Sequence, residues 1–131
     1  MLLIESLDTI ARAYLSILKE LQHKKDAERE LEALSYKIRQ MTVIDTVVAT
    51  GVDEQLIRLN ICNMQISNLK KQIADTIPTM KNTLRYFKEK KAIIYSEVSE
   101  SKWAVWLDGD TVILKPDNNV DIGEFIAQIE V

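Results

Sequence analysis

The chain has very few of the residues that build catalytic and metal sites. Its 131 residues include one histidine, His23, and one cysteine, Cys62, which lie 39 positions apart. Zinc sites and most acid–base sites need several such side chains to converge. A single cysteine also excludes a disulfide within the chain. We therefore expect no metal, no cofactor and no enzymatic activity.

Glycine clusters and long apolar runs are absent as well. The three glycines, Gly51, Gly109 and Gly123, are far apart, whereas phosphate-binding loops need clustered glycines. No run approaches the roughly 18 apolar residues of a membrane span. Glu5 and Asp8 interrupt the apolar start of the chain, which has no basic region of the kind that opens a signal peptide. We expect an unprocessed, soluble protein without a membrane span.

Helical periodicity is what the sequence has in abundance. Steps of three and four place one apolar stripe on the first helix, at Leu3, Leu7, Ile10, Tyr14, Ile17 and Leu21. The same steps place another on the segment Asp53–Ile77, at Leu59, Cys62, Ile66, Leu69 and Ile73. Such stripes need partner helices, so the sequence predicts a helical bundle.

Four features predict where the helices begin and end. The segment Gln22–Arg29 carries no large apolar residue, and Asp26 within it is placed to cap a second helix. Gly51 supplies the left-handed residue that commonly closes a helix, and Asp53 is placed to cap the next one. Pro78 lacks a backbone donor and should end the third helix.

Two alternatives remain open at this point. Without a turn near Gln22–Arg29, one helix of about 47 residues results, and it could bury its stripe only against another chain, as a long-helix dimer. The segment Thr42–Thr50 is rich in valine, isoleucine and threonine, which also favours a strand.

Near the C-terminus the apolar period changes to two. Trp103–Leu107 and Thr111–Lys115 flank Asp108-Gly109, a strong signal for a tight hairpin. The expected partners are Val105 with Val112 and Trp103 with Leu114 on one face, and Trp106 with Thr111 and Ala104 with Ile113 on the other. Pro116–Asn119 predicts a turn, and Asp121 then caps a short last helix that could cover the Trp106 face.

The predicted fold class is mainly α. We expect an antiparallel, up-and-down four-helix bundle with helices at residues 2–22, 27–50, 54–77 and 79–95, followed by a C-terminal β-hairpin and a short terminal helix. Residues 1–95 form the bundle in this interpretation, and residues 96–131 form a hairpin and helix that pack on it within a single domain.

Charge is unevenly distributed along the chain. Residues 78–91 carry five basic side chains and one acidic one, whereas residues 92–131 carry two basic and eight acidic ones. Such segregation indicates contacts with partners. The candidate partner contacts are Lys81, Arg85, Lys88, Lys91, Trp106, Ile113, Asp108 and Asp110. The alternatives are a solvated helix end for the lysines and core packing under the last helix for Trp106 and Ile113.

The arrangement also resembles a known family. The run from Trp103 to Asp110 and the stripe from Leu59 to Ile73 resemble the small proteins of two-tailed spindle-shaped archaeal viruses. That family includes a virion structural protein and a paralogue that inhibits the host RNA polymerase by occupying its nucleic-acid channel. The resemblance implies a location in the virion or the host cytoplasm, and protein partners among virion components or the host polymerase.

Three functions follow as hypotheses. The first is a non-catalytic structural or assembly protein of a virus particle that acts through protein–protein contacts, with a homo-oligomer as one form. The second is a regulator that binds and inhibits the host RNA polymerase through its acidic tail. The third, nucleic-acid binding through residues 81–91, fits poorly with a net charge of −3.

Overall fold

The computed structural model describes residues 3–43, 45–87 and 91–129. The elements in chain order are α1 (Leu3–Arg39), α2 (Thr46–Leu84), β1 (Lys91–Ser96), β2 (Ser101–Asp108), β3 (Thr111–Pro116) and α3 (Ile122–Ile129). The described chain is therefore mainly helical, as predicted. Two long helices take the place of the predicted four-helix bundle.

The first correction concerns the polar segment Gln22–Arg29, where α1 continues without a turn. This segment contains neither glycine nor proline, and its glutamine, lysine, glutamate, arginine and alanine residues are good helix formers. Asp26 does not cap a new helix. Its Oδ1 accepts a hydrogen bond of 3.1 Å from Nε2 of Gln22, one helical turn earlier. Local side-chain pairing thus supports one continuous helix.

The start of α2 is the second correction. Asp45 is the capping residue, since its Oδ1 accepts a 2.7 Å bond from the backbone N–H of Val47. The helix begins at Thr46, so the strand alternative for this segment is wrong. Gly51 and Asp53 lie inside the helix and neither ends nor starts one.

Pro78 also lies inside α2, which continues to Leu84. A proline in a helix interior costs about 3 kcal/mol. Ile73, Met80 and Leu84 are all buried on this part of the helix, and their burial offsets that cost. The helix ends in a turn where the N–H of Tyr86 donates to the carbonyl oxygen of Thr83.

A strand replaces the end of the predicted fourth helix. β1 pairs antiparallel with β2 along its whole length, in a three-stranded sheet of order β1-β2-β3. The run Ala92–Tyr95 combines two isoleucines with a tyrosine, and these residue types favour strands. The prediction of a helix to residue 95 is wrong because pairing with β2 outweighs the weak helical stripe.

The predicted hairpin between β2 and β3 is confirmed, with a shifted turn. Its two central residues are Gly109 and Asp110, and the flanking pair is Asp108 with Thr111. Gly109 has φ of 61°, the conformation that glycine supplies at the first central position of a type II′ turn. The predicted cross-strand pairs are consequently wrong, since Val105 lies opposite Leu114 and Trp106 lies opposite Ile113. Because the shift is two residues, every side chain keeps its predicted face.

The chain divides into two compact units. Ser16–Leu69 forms one, which we call the helical unit. The segments before it, to Leu15, and after it, from Lys70, form the other, which we call the sheet unit. Parts of both long helices occur in each unit.

The core of the sheet unit lies on one face of the sheet. Trp103 is fully buried, and its indole N–H donates a 2.8 Å bond to the hydroxyl of Ser99. The Tyr14 ring of α1 makes edge contacts with Trp103 at 5.6 Å and with Phe125 of α3 at 5.1 Å between ring centroids. Two side-chain hydrogen bonds of 3.0 Å join the strands and turns to α1, from Ser96 to Asp8 and from Asn118 to Tyr14.

The last helix forms as predicted but in a different place. Oδ1 of Asp121 accepts bonds from the N–H groups of Gly123 at 2.8 Å and Glu124 at 3.2 Å, which confirms the cap. Phe125 contacts Tyr14, which also contacts Trp103, so α3 lies on the Trp103 side of the sheet. The prediction that it covers the Trp106 face is wrong.

In the helical unit, α1 and α2 run antiparallel, since Leu34 lies beside Gly51 and Glu20 lies beside Gln65. Cys62 and Ile66 are buried, as the predicted stripe requires. A Cβ at Gly51 would lie 3.2 Å from Cδ1 of Leu34. The glycine therefore permits a close approach of the two helices and has no capping role.

Candidate functional site

The predicted basic face is divided between a helix end and the sheet. Lys81 lies in the last turn of α2, and Arg85 follows that helix. Lys91 is the first residue of β1. Lys88 lies outside the described residues. The predicted helix at residues 79–95 would have carried all four basic candidates, and this placement is wrong for Lys91.

The predicted basic and acidic candidates meet at the hairpin turn. Oδ1 of Asp110 lies 3.8 Å from Nζ of Lys81 and 3.9 Å from Nη2 of Arg85. The Asp110 side chain is 90% exposed, so these ion pairs are screened and contribute little to stability. Asp108, at the end of β2, is also exposed. Within the described residues, no three histidine, cysteine, aspartate or glutamate side chains are placed to hold a metal ion.

Trp106 and Ile113 lie opposite each other on the face of the sheet that points away from Trp103. Both are half-buried, so neither has the core position that was the alternative for them. Nζ of Lys91 lies 4.4 Å from the centre of the Trp106 ring, and Nζ of Lys115 lies 5.9 Å from it. Both distances fit cation–π contacts. A sequence-predicted basic candidate and a sequence-predicted aromatic candidate are thus brought together.

A cleft in the helical unit with both polar and apolar side chains was not foreseen from the sequence. It is lined by Glu20, His23, Glu54, Ile57, Arg58, Ile61, Cys62 and Gln65. Nδ1 of His23 lies 3.7 Å from the Glu20 carboxylate. With the Gln65 amide oriented so that its nitrogen faces Glu20, it donates to both carboxylate oxygens at 2.8 Å. Cys62 and Gln65 are more than 40 positions from Glu20, and no sequence spacing indicates that they meet.

The chemistry of this cleft favours a neutral thiol. Burial raises the pKa of Cys62 above its ordinary value of 9.0, and a hydrogen bond to Glu20 and the charge of that carboxylate raise it further. Arg58 and Lys24 act in the opposite direction with smaller effects. A reactive cysteine needs its pKa lowered so that thiolate forms at neutral pH. The cleft therefore stabilises Cys62 as a small buried side chain.

An apolar stripe on α2 is exposed in the same unit. It consists of Ile57, Ile61 and Met64, which follow at steps of four and three and lie on one side of the helix. Their exposed fractions are 58%, 44% and 59%. We call these three residues the exposed stripe. The steps of four and three are present in the sequence, but the longer stripe through Cys62 and Ile66, roughly 100–180° around the helix, was the one that the sequence analysis used.

The sheet unit also contains an apolar groove. Ile73, Ile77 and Pro78 of α2 line one side of it, and Ile122 and Ile126 of α3 line the other. Lys81 and Asp110 lie at its border. Pro78 lines this groove and is exposed, whereas Ile73 and Met80 of the same helix are buried.

None of the helices in the described ranges combines the length and the apolar character needed to cross a bilayer. Comparison of the chain with protein-family models, with curated proteins and with solved structures finds no match. The functional interpretation accordingly depends on the surfaces described above.

Proposed function

We propose that this protein is a non-catalytic structural protein that assembles by packing α2 against a second copy of itself. The single observation that supports this proposal is the exposed stripe. Ile57, Ile61 and Met64 leave about half of their surface in contact with water. Burial of such side chains against an apolar partner is favourable by roughly 25 cal/mol per Å².

The position of the stripe on α2 supports a helical partner. Cys62 and Ile66, which lie roughly 100–180° around α2 from the stripe, are already buried in the helical unit, and Ile57 and Ile61 also line the cleft beside Cys62. A helix with apolar residues on two sides needs two partners. The unit supplies one of them in α1, and a second copy of the chain supplies the other.

Symmetry favours a second copy of the chain. Thr50 and Asn68 lie on the side of the exposed stripe and carry no charge, whereas Asp53 and Glu54 place two exposed carboxylates at its N-terminal end. Two identical stripes that pack antiparallel form a self-complementary interface about a twofold axis. The two helices from each copy then complete a four-helix arrangement of the kind that one chain does not build alone.

We further propose a virus particle as the setting of this assembly, in line with the resemblance to proteins of two-tailed spindle-shaped archaeal viruses. A small interface is weak in isolation. Repetition in a particle multiplies its effect, since every further contact forms at a high effective concentration. Copurification with intact particles is the expected result, and its absence from washed particles contradicts this setting.

Sedimentation velocity tests the self-association. We expect the wild-type chain of 15.0 kDa to show a species of twice that mass whose fraction rises with protein concentration. Ile61→Glu places a charge in the stripe and should shift the distribution to the monomer. Leu56→Glu is the matched control, because Leu56 is exposed to 46% on the same helix but lies about 100° around it from the stripe.

The control separates a specific interface from general hydrophobic association. Leu56→Glu should leave the concentration dependence unchanged. A wild-type chain that stays monomeric at every concentration refutes the proposal. Equal loss of dimer in both variants shows that the exposed stripe is not the interface and refutes it as well.

A further inference from the structure

The sheet has one face that the core does not use, and we call it the outer face. Directly opposed residues of antiparallel strands point to the same side, so the register defines this face row by row. Its members are Lys91, Ile93 and Tyr95 of β1, Lys102, Ala104, Trp106 and Asp108 of β2, and Thr111, Ile113 and Lys115 of β3. Two aromatic rings and three lysines thus share one surface.

This face is accessible within the described residues. Ile93 is 62% exposed and Tyr95 is 50% exposed, and the three lysines are exposed as well. Tyr14 and Phe125 pack on the opposite side with Trp103. Burial of the core therefore does not account for the apolar character of the outer face.

The lysines give the outer face a positive charge in a chain whose net charge is −3. Lys91 and Lys115 both place their ammonium groups near the Trp106 ring, at 4.4 Å and 5.9 Å from its centre. Two like charges over one ring repel each other, and an anion bound beside them relieves that repulsion. The acidic residues of this face lie at its ends, Asp108 at the hairpin turn and Asp117 beside Lys102.

The aromatic residues are spaced for more than one planar ligand. Trp106 lies opposite Lys91, and Tyr95 lies four residues further along β1, which separates the two rings by about 13 Å along the strands. Between them lie Ala104 of β2 and its partner Ile93 of β1, which adds an exposed apolar side chain to the middle of the face.

We propose that the outer face binds single-stranded nucleic acid. Bases stack on Trp106 and Tyr95, and phosphates lie near Lys91, Lys102 and Lys115. Sheets that present aromatic side chains and basic residues bind single strands in this way, since unpaired bases expose their flat faces. A duplex keeps those faces stacked, and an acidic peptide supplies the charge but not the rings.

Fluorescence anisotropy with a labelled oligothymidylate of roughly 12 nucleotides tests the proposal at low salt. We expect binding that weakens as salt is raised. Trp106→Ala should weaken it by about fivefold to a hundredfold, whereas Trp106→Phe should restore most of the affinity because phenylalanine also stacks. Tyr86→Ala is the matched control, since Tyr86 is 87% exposed and lies outside the sheet.

The basic residues distinguish the outer face from the end of α2. The double variant Lys91→Gln/Lys115→Gln should weaken binding and flatten its dependence on salt. The double variant Lys81→Gln/Arg85→Gln removes the same charge near Asp110 and should have a smaller effect. Circular dichroism and thermal unfolding of each variant verify that the fold is kept.

Several results overturn the proposal. No binding at low salt does so, and so does an equal loss of affinity in the Lys81→Gln/Arg85→Gln variant. Equal affinity for a duplex of the same length, or for polyglutamate, shows that stacking contributes nothing and refutes the assignment to single strands. The result does not depend on self-association, because Ile61→Glu leaves the outer face intact.

Discussion

The two units of this protein bury their apolar side chains to different extents, although both contain parts of α1 and α2. In the sheet unit, Leu7 and Ile10 of α1 are fully buried. In the helical unit, Ile57, Ile61 and Met64 of α2 remain exposed. The sheet unit adds a sheet and α3 to its helical segments, whereas the helical unit contains two helices only. Two helices share one interface, so further apolar residues stay exposed unless a third layer covers them.

The largest expected effect comes from a substitution in the core of the sheet unit, which is the better packed of the two units. Trp103→Ala removes a fully buried ring that contacts Tyr14 and bonds to Ser99. We expect the free energy of unfolding to fall by about 3–5 kcal/mol, as for other large-to-small core changes. Urea denaturation followed by circular dichroism measures it. Trp106→Ala on the opposite face is the control and should cost much less, and equal losses would contradict the assignment of the two faces.

A smaller effect should come from the helical unit. Gly51→Ala replaces a poor helix former and should raise the free energy of unfolding by about 0.5–1 kcal/mol. The added Cβ lies 3.2 Å from Cδ1 of Leu34, which is the end of a flexible side chain beside an open groove and can move. Thermal unfolding measures the change. A clear destabilisation would show that the Leu34 side chain cannot move by the few tenths of an ångström required.

The smallest effect concerns Cys62 and appears only at high pH. Because its pKa is raised above 9.0 in the folded protein, the neutral thiol favours folding below that pH. This contribution is lost as the pH rises through the raised pKa of the folded state. Cys62→Ala removes the titrating group, so the stability of the wild type relative to this variant should fall above pH 9.0. Urea denaturation at about pH 8 and pH 10 measures the difference, and a constant difference contradicts the burial of the thiol.

Local chemistry decided which sequence predictions were confirmed. The hairpin and the last helix depend on Gly109 and on Asp121, whose effects act within a few residues. The buried stripe through Cys62 and Ile66 was also predicted, since the helical period alone places those residues on one side. The helix boundaries predicted at Gly51 and Pro78 were wrong. Each of these residues disfavours a helix locally, but packing of the rest of α2 stabilises a helix that continues through both.

The candidate surfaces were less predictable than the fold. Trp106 and Lys91 were both candidates, but the sequence placed one on a strand and the other on a helix. Their contact depends on β1, which pairs with β2 across the sheet. The contact of Asp110 with Lys81 and Arg85 likewise joins segments that are more than 20 residues apart.

The sequence by itself determined that this protein is mainly helical, that a hairpin follows the helices and which side chains share each face of its strands. These properties follow from the periods of helix and strand and from residues that act on their neighbours. The tertiary structure alone decided that two long helices form instead of four, that a third strand completes the sheet and that Trp103 is buried while Trp106 is not. Each face of β2 carries one tryptophan. Trp103 is buried and Trp106 is not because α1 and α3 pack on the Trp103 side of the sheet.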